Sequence, residues 1–180
     1  GTGAGIAAFT GGVGDITIVV GSGGTVSGAT GIVAVTSGTG AVDVDTSTGA
    51  ITGTAGSAIF TSATSGATTI NVDGPLNSTG GSGVNATSSA GGSITVTGSG
   101  AIDASNGNGI FAIASGGGDV TVNYSGDIGT SVDPVGAIGI VAGSAGGNVD
   151  VDMAGDIYAS GYGIYGLNGG AAGTVDINFT

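Results

Sequence analysis

The 180 residues of this chain include no lysine, arginine, histidine, glutamate, cysteine or tryptophan. Each absence closes a class of chemistry. Without histidine there is no imidazole for general acid–base work. Without cysteine or lysine there is no thiol or amine nucleophile, and without arginine no clamp for an oxyanion or substrate carboxylate. No disulfide can form. Nucleic acid loses the basic contacts its phosphates need, and an anionic membrane surface offers no attraction. No run of 18 apolar residues and no basic segment leading into an apolar core are present, so this segment is not expected to insert in a membrane or act as a signal peptide. The first residue, Gly1, lies within the repeat grammar, so the expectation is a processed product or a fragment of a longer chain.

What charge there is has one sign. All 12 charged side chains are aspartate, giving a formal net charge of −12 with no cationic partner. No side-chain salt bridge can form, and trypsin finds no site. Such a surface keeps molecules apart unless salt screens it.

The residues that remain are organised by a repeat of about 26 positions. Its clearest copy runs GNGIFAIASGGG from Gly107, through DVTVNYSG to Gly126, then DIGTS. The first block aligns Ile6, Ile32, Ile59, Val84, Ile110, Ile140 and Ile164. The second aligns Ile16, Val42, Ile94, Val120, Val149 and Val175. Two residues on stand Ile18, Val44, Ile70 (or Val72), Val96, Val122, Val151 and Ile177. The third block gives Val26, Ile51, Leu76, Ile102, Ile128 and Ile157. Self-similarity at a fixed period signals a solenoid or a similar array.

Stretches such as DITIV, SITVT and TVDIN alternate apolar and polar residues, the period of extended chain with one buried face. Gly, Ser, Asn and Asp clusters bound them as turns. No apolar stripe has helical spacing. The 44 glycines suit the corners. A positive mean hydropathy of +0.50 and regular aliphatic columns argue against a disordered linker. The expectation is an all-β, right-handed parallel β-helix of about seven coils, three short strands per coil. It forms one domain over residues 1–180, with coils starting near 3, 29, 56, 81, 107, 137 and 161. At about 4.8 Å per coil the rod spans roughly 33 Å. The left-handed hexapeptide form would show six-residue steps, which are absent. The SVDPVGA stretch from Ser131 to Ala137 is expected to bulge one corner.

Two longer stretches carry a family likeness: GNGIFAIASGGGDVTVNYSGDI, and GAIGIVAGSAGGNVDVDMAGDIYASGYGIYG from Gly136 to Gly166. They resemble the passenger repeats of bacterial autotransporters and related large adhesins, over essentially the whole chain. The resemblance implies a right-handed β-helix outside the cell or on its surface, serving as a stalk, adhesin or biofilm component. It supplies no catalytic motif to carry over. The C-terminal membrane barrel of a complete autotransporter is not part of this sequence.

Side chains for chemistry are few. A pectate-type lyase site would need a basic residue. A paired-aspartate glycosidase is chemically conceivable, but short regular coils leave little room for a cleft, so no enzyme and no catalytic residue are expected. A cation site is the sharper idea. Asp150, Asp152, Asp176, Asn123 and Asn178 fall on one outward patch of the second strand, where stacked carboxylates would repel and a hard cation such as Ca²⁺ would relieve them. Asp127 with Asp156 forms a second ladder, and the bland reading of both is a solvated polar face. Gly11 to Asp15 falls short of the calcium β-roll signature. No other cofactor is expected.

An outward column of the first strand is apolar: Val33, Phe60, Phe111, Val141 and Tyr165, with Ala7 and Asn85 at weaker rungs. Such a stripe is a candidate contact surface, unless the pleat phase is shifted and these residues are core. Asn77, Asn85, Asn123 and Asn178 begin Asn-x-Ser/Thr, the N-glycosylation pattern, which chance supplies often in a Ser/Thr-rich chain. Thr arrays of the ice-binding kind are broken by Asp43, Asp150 and Asp176. The functional expectation is a non-catalytic extracellular rod, a stalk or filament subunit whose partner is another copy of itself, stacked end to end and also side by side. The alternatives are an adhesin face that takes carbohydrate or another surface, through Tyr158, Tyr162 or Tyr165, and a calcium-dependent assembly module.

Overall fold

A computed structural model describes residues 2–180, with eighteen β-strands and no helix among them. The first coil holds β1 (Ile6–Thr10), β2 (Ile16–Val19) and β3 (Thr25–Gly28). The second holds β4 (Ile32–Thr36), β5 (Val42–Asp45) and β6 (Ala50–Gly53), and the third β7 (Ile59–Ala63), β8 (Thr68–Val72) and β9 (Leu76–Ser78). The fourth holds β10 (Val84–Ser88), β11 (Ile94–Gly98) and β12 (Ile102–Ala104). Two strands each define the last three coils: β13 (Ile110–Ala114) and β14 (Val120–Tyr124), β15 (Ile140–Ser144) and β16 (Val149–Met153), β17 (Ile164–Asn168) and β18 (Val175–Phe179).

All strand pairing is between successive coils and parallel. The first face is the seven-stranded sheet β1-β4-β7-β10-β13-β15-β17. The second face is the seven-stranded sheet from β2 to β18, and the third the four-stranded sheet β3-β6-β9-β12. The chain is therefore a three-sided β-solenoid of seven coils. Along the first face Ile6, Ile32, Ile59, Val84, Ile110, Ile140 and Ile164 stack in one register. Those between Ile32 and Ile140 are fully buried. On the second face the inner rows hold Val42, Val44, Ile94, Val96, Val120 and Val122, and on the third Ile51, Leu76, Ile102 and Ile128. Burial of these branched side chains stabilises the tube by about 1.5–3 kcal/mol each before entropy is counted.

In the third coil Ile70, the first of the two candidates, stands beside Val44 and Val96. Two details depart from the sequence reading. Two residues before Ile70 the inner position is Thr68, which no aliphatic column had included. The third strand is lost after the fourth coil, where single bridges Ile102–Ile128 and Ile128–Ile157 replace it. The insertion at Ser131–Ala137 follows the first of these bridged positions, Ile128. It folds on itself, with the Thr130 N–H donating to the Asp133 carbonyl at 2.9 Å and the Asp133 N–H to Thr130 Oγ1 at 3.0 Å. The chain rejoins the stack at Val135, whose N–H reaches the Tyr158 carbonyl.

Two of the three corners are turned by glycine columns. Between the first and second faces stand Gly40, Gly66, Gly92, Gly118 and Gly147, backbone on backbone. A Cβ at Gly66 or Gly92 would sit 1.9 or 2.1 Å from the carbonyl oxygen of the glycine one coil earlier. Gly74, Gly100, Gly126 and Gly155 form the corresponding column after the second face.

Candidate functional site

The carboxylates are used first as glue between coils. At the turn into the second face, Asp15 Oδ1 accepts the Ala41 N–H at 2.7 Å, and Asp119 Oδ1 accepts the Asn148 N–H at 2.7 Å. Asn148 Oδ1 in turn accepts the Thr174 N–H at 3.1 Å. After the second face, Asp73 Oδ1 accepts the Ser99 N–H at 3.2 Å. The Asp127–Asp156 ladder behaves likewise: the Asp156 N–H donates to Asp127 Oδ1 at 3.0 Å. In every case the side-chain oxygen belongs to the earlier coil and the N–H to the next. Corners interrupt the β-ladder, and these oxygens satisfy amide groups that would otherwise go unpaired, except Ser99, whose N–H also reaches the Val72 carbonyl at 2.9 Å. The sequence signal was the recurrence of Asp, Asn and Ser just before the second strand; what it did not reveal was the direction in which the side chain points.

On the second face the structure brings Asp150 opposite Asp176, Asp152 opposite Asn178, and Asn123 opposite Asp152. Thr69 and Asn71 fill the third rung of the same two rows. Asn178 Nδ2 donates to Asp152 Oδ1 at 3.2 Å, so that carboxylate already has an internal partner. No group of three or more His, Cys, Asp or Glu side chains is gathered for a metal ion among the described residues. The patch offers the Asp150–Asp176 pair, with Asp152 and the side chains of Asn123 and Asn178 on the neighbouring row.

The apolar row lies on the outside of the first face: Val33, Phe60, Asn85, Phe111, Val141 and Tyr165 on successive rungs. Val33, Phe60 and Phe111 are half-buried. Val141, between Phe111 and Tyr165, is only 8% exposed. A second outward row runs beside it through Phe9, Val35, Ser62, Thr87, Ile113, Gly143 and Leu167. Its mixed composition hid it from the sequence reading. Of the four Asn-x-Ser/Thr asparagines, Asn77, Asn123 and Asn178 are exposed on strands, whereas Asn85 is half-buried with its Oδ1 enclosed and unpartnered. Tyr158, Tyr162 and Tyr165 are exposed, and the rings of Tyr162 and Tyr165 stack with centroids 6.0 Å apart.

Two titratable groups stand out. Tyr124 is buried, its hydroxyl donates to the Gly100 carbonyl, and burial, reinforced by Asp73, pushes its ionisation far up. Asp103 on β12 is half-buried, and its Oδ1 is enclosed without a partner. Burial raises its pKa above the usual 3.8, the Asp133 carboxylate adds to the rise, and the Ser105 hydroxyl opposes it. Asp103, Asp127 and Thr130 border a hollow of about 220 Å³ on the third side. A raised folded pKa means that the folded chain holds the proton more tightly than the unfolded chain. The stabilisation is full below 3.8 and is lost as pH rises through the folded value. Asp103→Asn is therefore expected to raise Tm at about pH 7, and the gain over the parent should vanish at about pH 3, where both chains are neutral at this position. Calorimetry at the two pH values checks it; a gain that is equal at both would show that the charge is not the cause.

No family model matches the sequence, and no curated protein or solved structure matches it either. The class to which the chain belongs is thus defined by its fold: a parallel β-solenoid with glycine corners and one-way carboxylate stitching between coils.

Proposed function

We propose that the chain is a structural, non-catalytic rod that works outside the cell as a stalk or filament subunit. The observation that carries this reading is the uninterrupted in-register stacking of seven coils on two faces. In such a stack, each coil contacts only its neighbours, and length can be added without changing the cross-section. The resemblance of the repeats to autotransporter passengers supports the extracellular setting. The shallow, sparsely functionalised surface supports a role in which shape does the work. Both terminal rungs carry unpaired strand edges: β1 and β2 at one end, β17 and β18 at the other. The inner residues of the last rung, Val175, Ile177 and Phe179, are exposed. In the filament form of the proposal, coils of successive copies stack as coils stack within the chain, β17 of one copy on β1 of the next.

Edge blocking tests the axial contact. The Ile6 N–H donates to the Gly31 carbonyl of the second coil, so by strand alternation the Ala7 N–H points to the free edge. Ala7→Pro removes that donor without breaking the ladder within the chain. The parent should form fibres in negative-stain images and the variant should stay short. Fibres that ignore the proline, or a parent that never elongates, would reject the filament form of the proposal. A carbohydrate-binding module is the second reading. The exposed Tyr162–Tyr165 stack favours it, since aromatic faces pair well with sugar rings.

A further inference from the structure

The twelve carboxylates are not spread evenly round the tube. Asp43, Asp45, Asp150, Asp152 and Asp176 stand on second-face strands, and Asp15 and Asp119 at the turn entering that face. Asp73, Asp103, Asp127, Asp133 and Asp156 lie on or beside the third side. No strand of the first face contains a charged residue. That face carries Phe9, Leu167 and Tyr165 instead, 70%, 47% and 42% exposed.

We propose that the first face is a lateral docking surface for a second copy of this chain, lying antiparallel to the first. Charge selects the face. Two copies, each at −12 and without a cation, repel wherever carboxylates meet carboxylates. Only a contact through the first face keeps all twelve on the outside of the pair. Shape selects the direction. Near the C-terminal end a notch of about 180 Å³ opens beside Ile113 and Leu167, floored by Ser144, Ala145 and Gly169. A lined cavity of about 150 Å³ already accepts a benzene ring. In an antiparallel pair, Phe9 of each copy comes to the notch of the other, offset by about one coil. In a parallel pair the two-fold runs along the tube and reverses the strand direction, so Phe9 would face Ala7 of its partner, the Leu167 row would face the Tyr165 row, and both notches would stay empty. A two-fold contact of this kind is self-complementary and closed.

Area limits the strength. Five-residue strands over seven rungs make a face of about 16 by 30 Å, roughly 500 Å² per copy, against about 800 Å² for a stable complex. The pair is weak and reversible at this length and strengthens with added coils. Because it uses neither open end, it stands whether or not the rods stack axially.

The test is sedimentation equilibrium of the full chain at up to about millimolar concentration in about 1 M NaCl, where the screening length is ~3 Å. Open-ended axial growth would show as a mass that rises past the dimer, which separates it from a closed pair. A monomer–dimer equilibrium that tightens with salt is expected. Leu167→Asp, at an exposed position, should weaken it by at least about tenfold by setting carboxylates in the contact, and Thr121→Asp on the second face should leave it within about twofold. Because the chain lacks cysteine, Phe9→Cys and Leu167→Cys copies can be mixed under oxidation. The mixed disulfide should form in preference to either like pair. A monomer throughout, a dimer indifferent to Leu167→Asp, equal weakening by Thr121→Asp, or a preferred Phe9→Cys like pair would overturn the proposal.

Discussion

Gly92→Ala should break the rod between its third and fourth coils. The new Cβ would lie 2.1 Å from the Gly66 carbonyl oxygen and 2.9 Å from Ser88 Oγ. The hydroxyl can swing aside, but the carbonyl belongs to a backbone fixed by its own stack and has no rotamer to change. Relief requires the corner to open, which separates the two coils over several rungs of hydrogen bonding. The expected cost is at least about 3 kcal/mol, the upper part of the range for forcing atoms into a packed site. For a chain of this size that is a fall in Tm of about 6–12 °C. Gly12→Ala is the matched control, because nothing lies within 4 Å of a Cβ there. A solenoid's stability is a sum of neighbour terms, so the damage should be local first. Hydrogen exchange should accelerate on both sides of the corner before the end coils change. An alanine variant with the parent's Tm would show that the corner is looser than the stacked carbonyls indicate.

The same columns explain how much of the molecule was legible in its sequence. Residues such as Ile110 and Val122 recur at one spacing and alternate with polar neighbours, and both signals follow directly from stacking and pleat. Face, register and coil number therefore came through. Thr68 did not, because a hydroxyl-bearing residue carries no sign of being interior. Ile70 and Val72 could not be separated, since both point inward on the same strand. The loss of the third strand after Ala104 did not come through, since Ile128 and Ile157 keep the aliphatic column although they form only single bridges. For the site, the sequence placed Asp150, Asp152 and Asp176 together, as the register does. It did not show that Asp15, Asp119 and Asp127 turn back to the next coil's N–H groups. That choice rests on one side-chain torsion and on which amides the corner leaves bare. Ile113 and Leu167 were overlooked because Ser62, Thr87 and Gly143 share their row and dilute it.

Thr61→Val with Thr68→Val should make the rod more stable than the parent. Both hydroxyls lie in the third coil, fully enclosed and without a hydrogen-bond partner. Their rows are otherwise apolar: Ala34, Ala86 and Ala112 flank the Thr61 level, and Val42, Ile94 and Val120 the Thr68 level. An enclosed hydroxyl with no partner costs about 1–3 kcal/mol in lost hydration. Valine keeps the branched shape and removes the polar atom, so packing changes little while that penalty disappears. The two sites share a coil, and the double variant measures any coupling between them. A rise in Tm of at least about 4 °C is expected for the pair, from ~2 kcal/mol at about 2 °C or more per kcal/mol. If Tm holds or falls instead, the hydroxyls are satisfied by enclosed water, and the interior of the third coil is polar by construction. Ser88 separates the cases further. Its Oγ is also unpartnered, whereas Ser144 in the same row donates to the Gly118 carbonyl at 2.8 Å and accepts the Gly147 N–H at 2.8 Å. Ser88→Ala should therefore be neutral or stabilising, and Ser144→Ala destabilising, if unmet hydrogen bonding is what sets the cost.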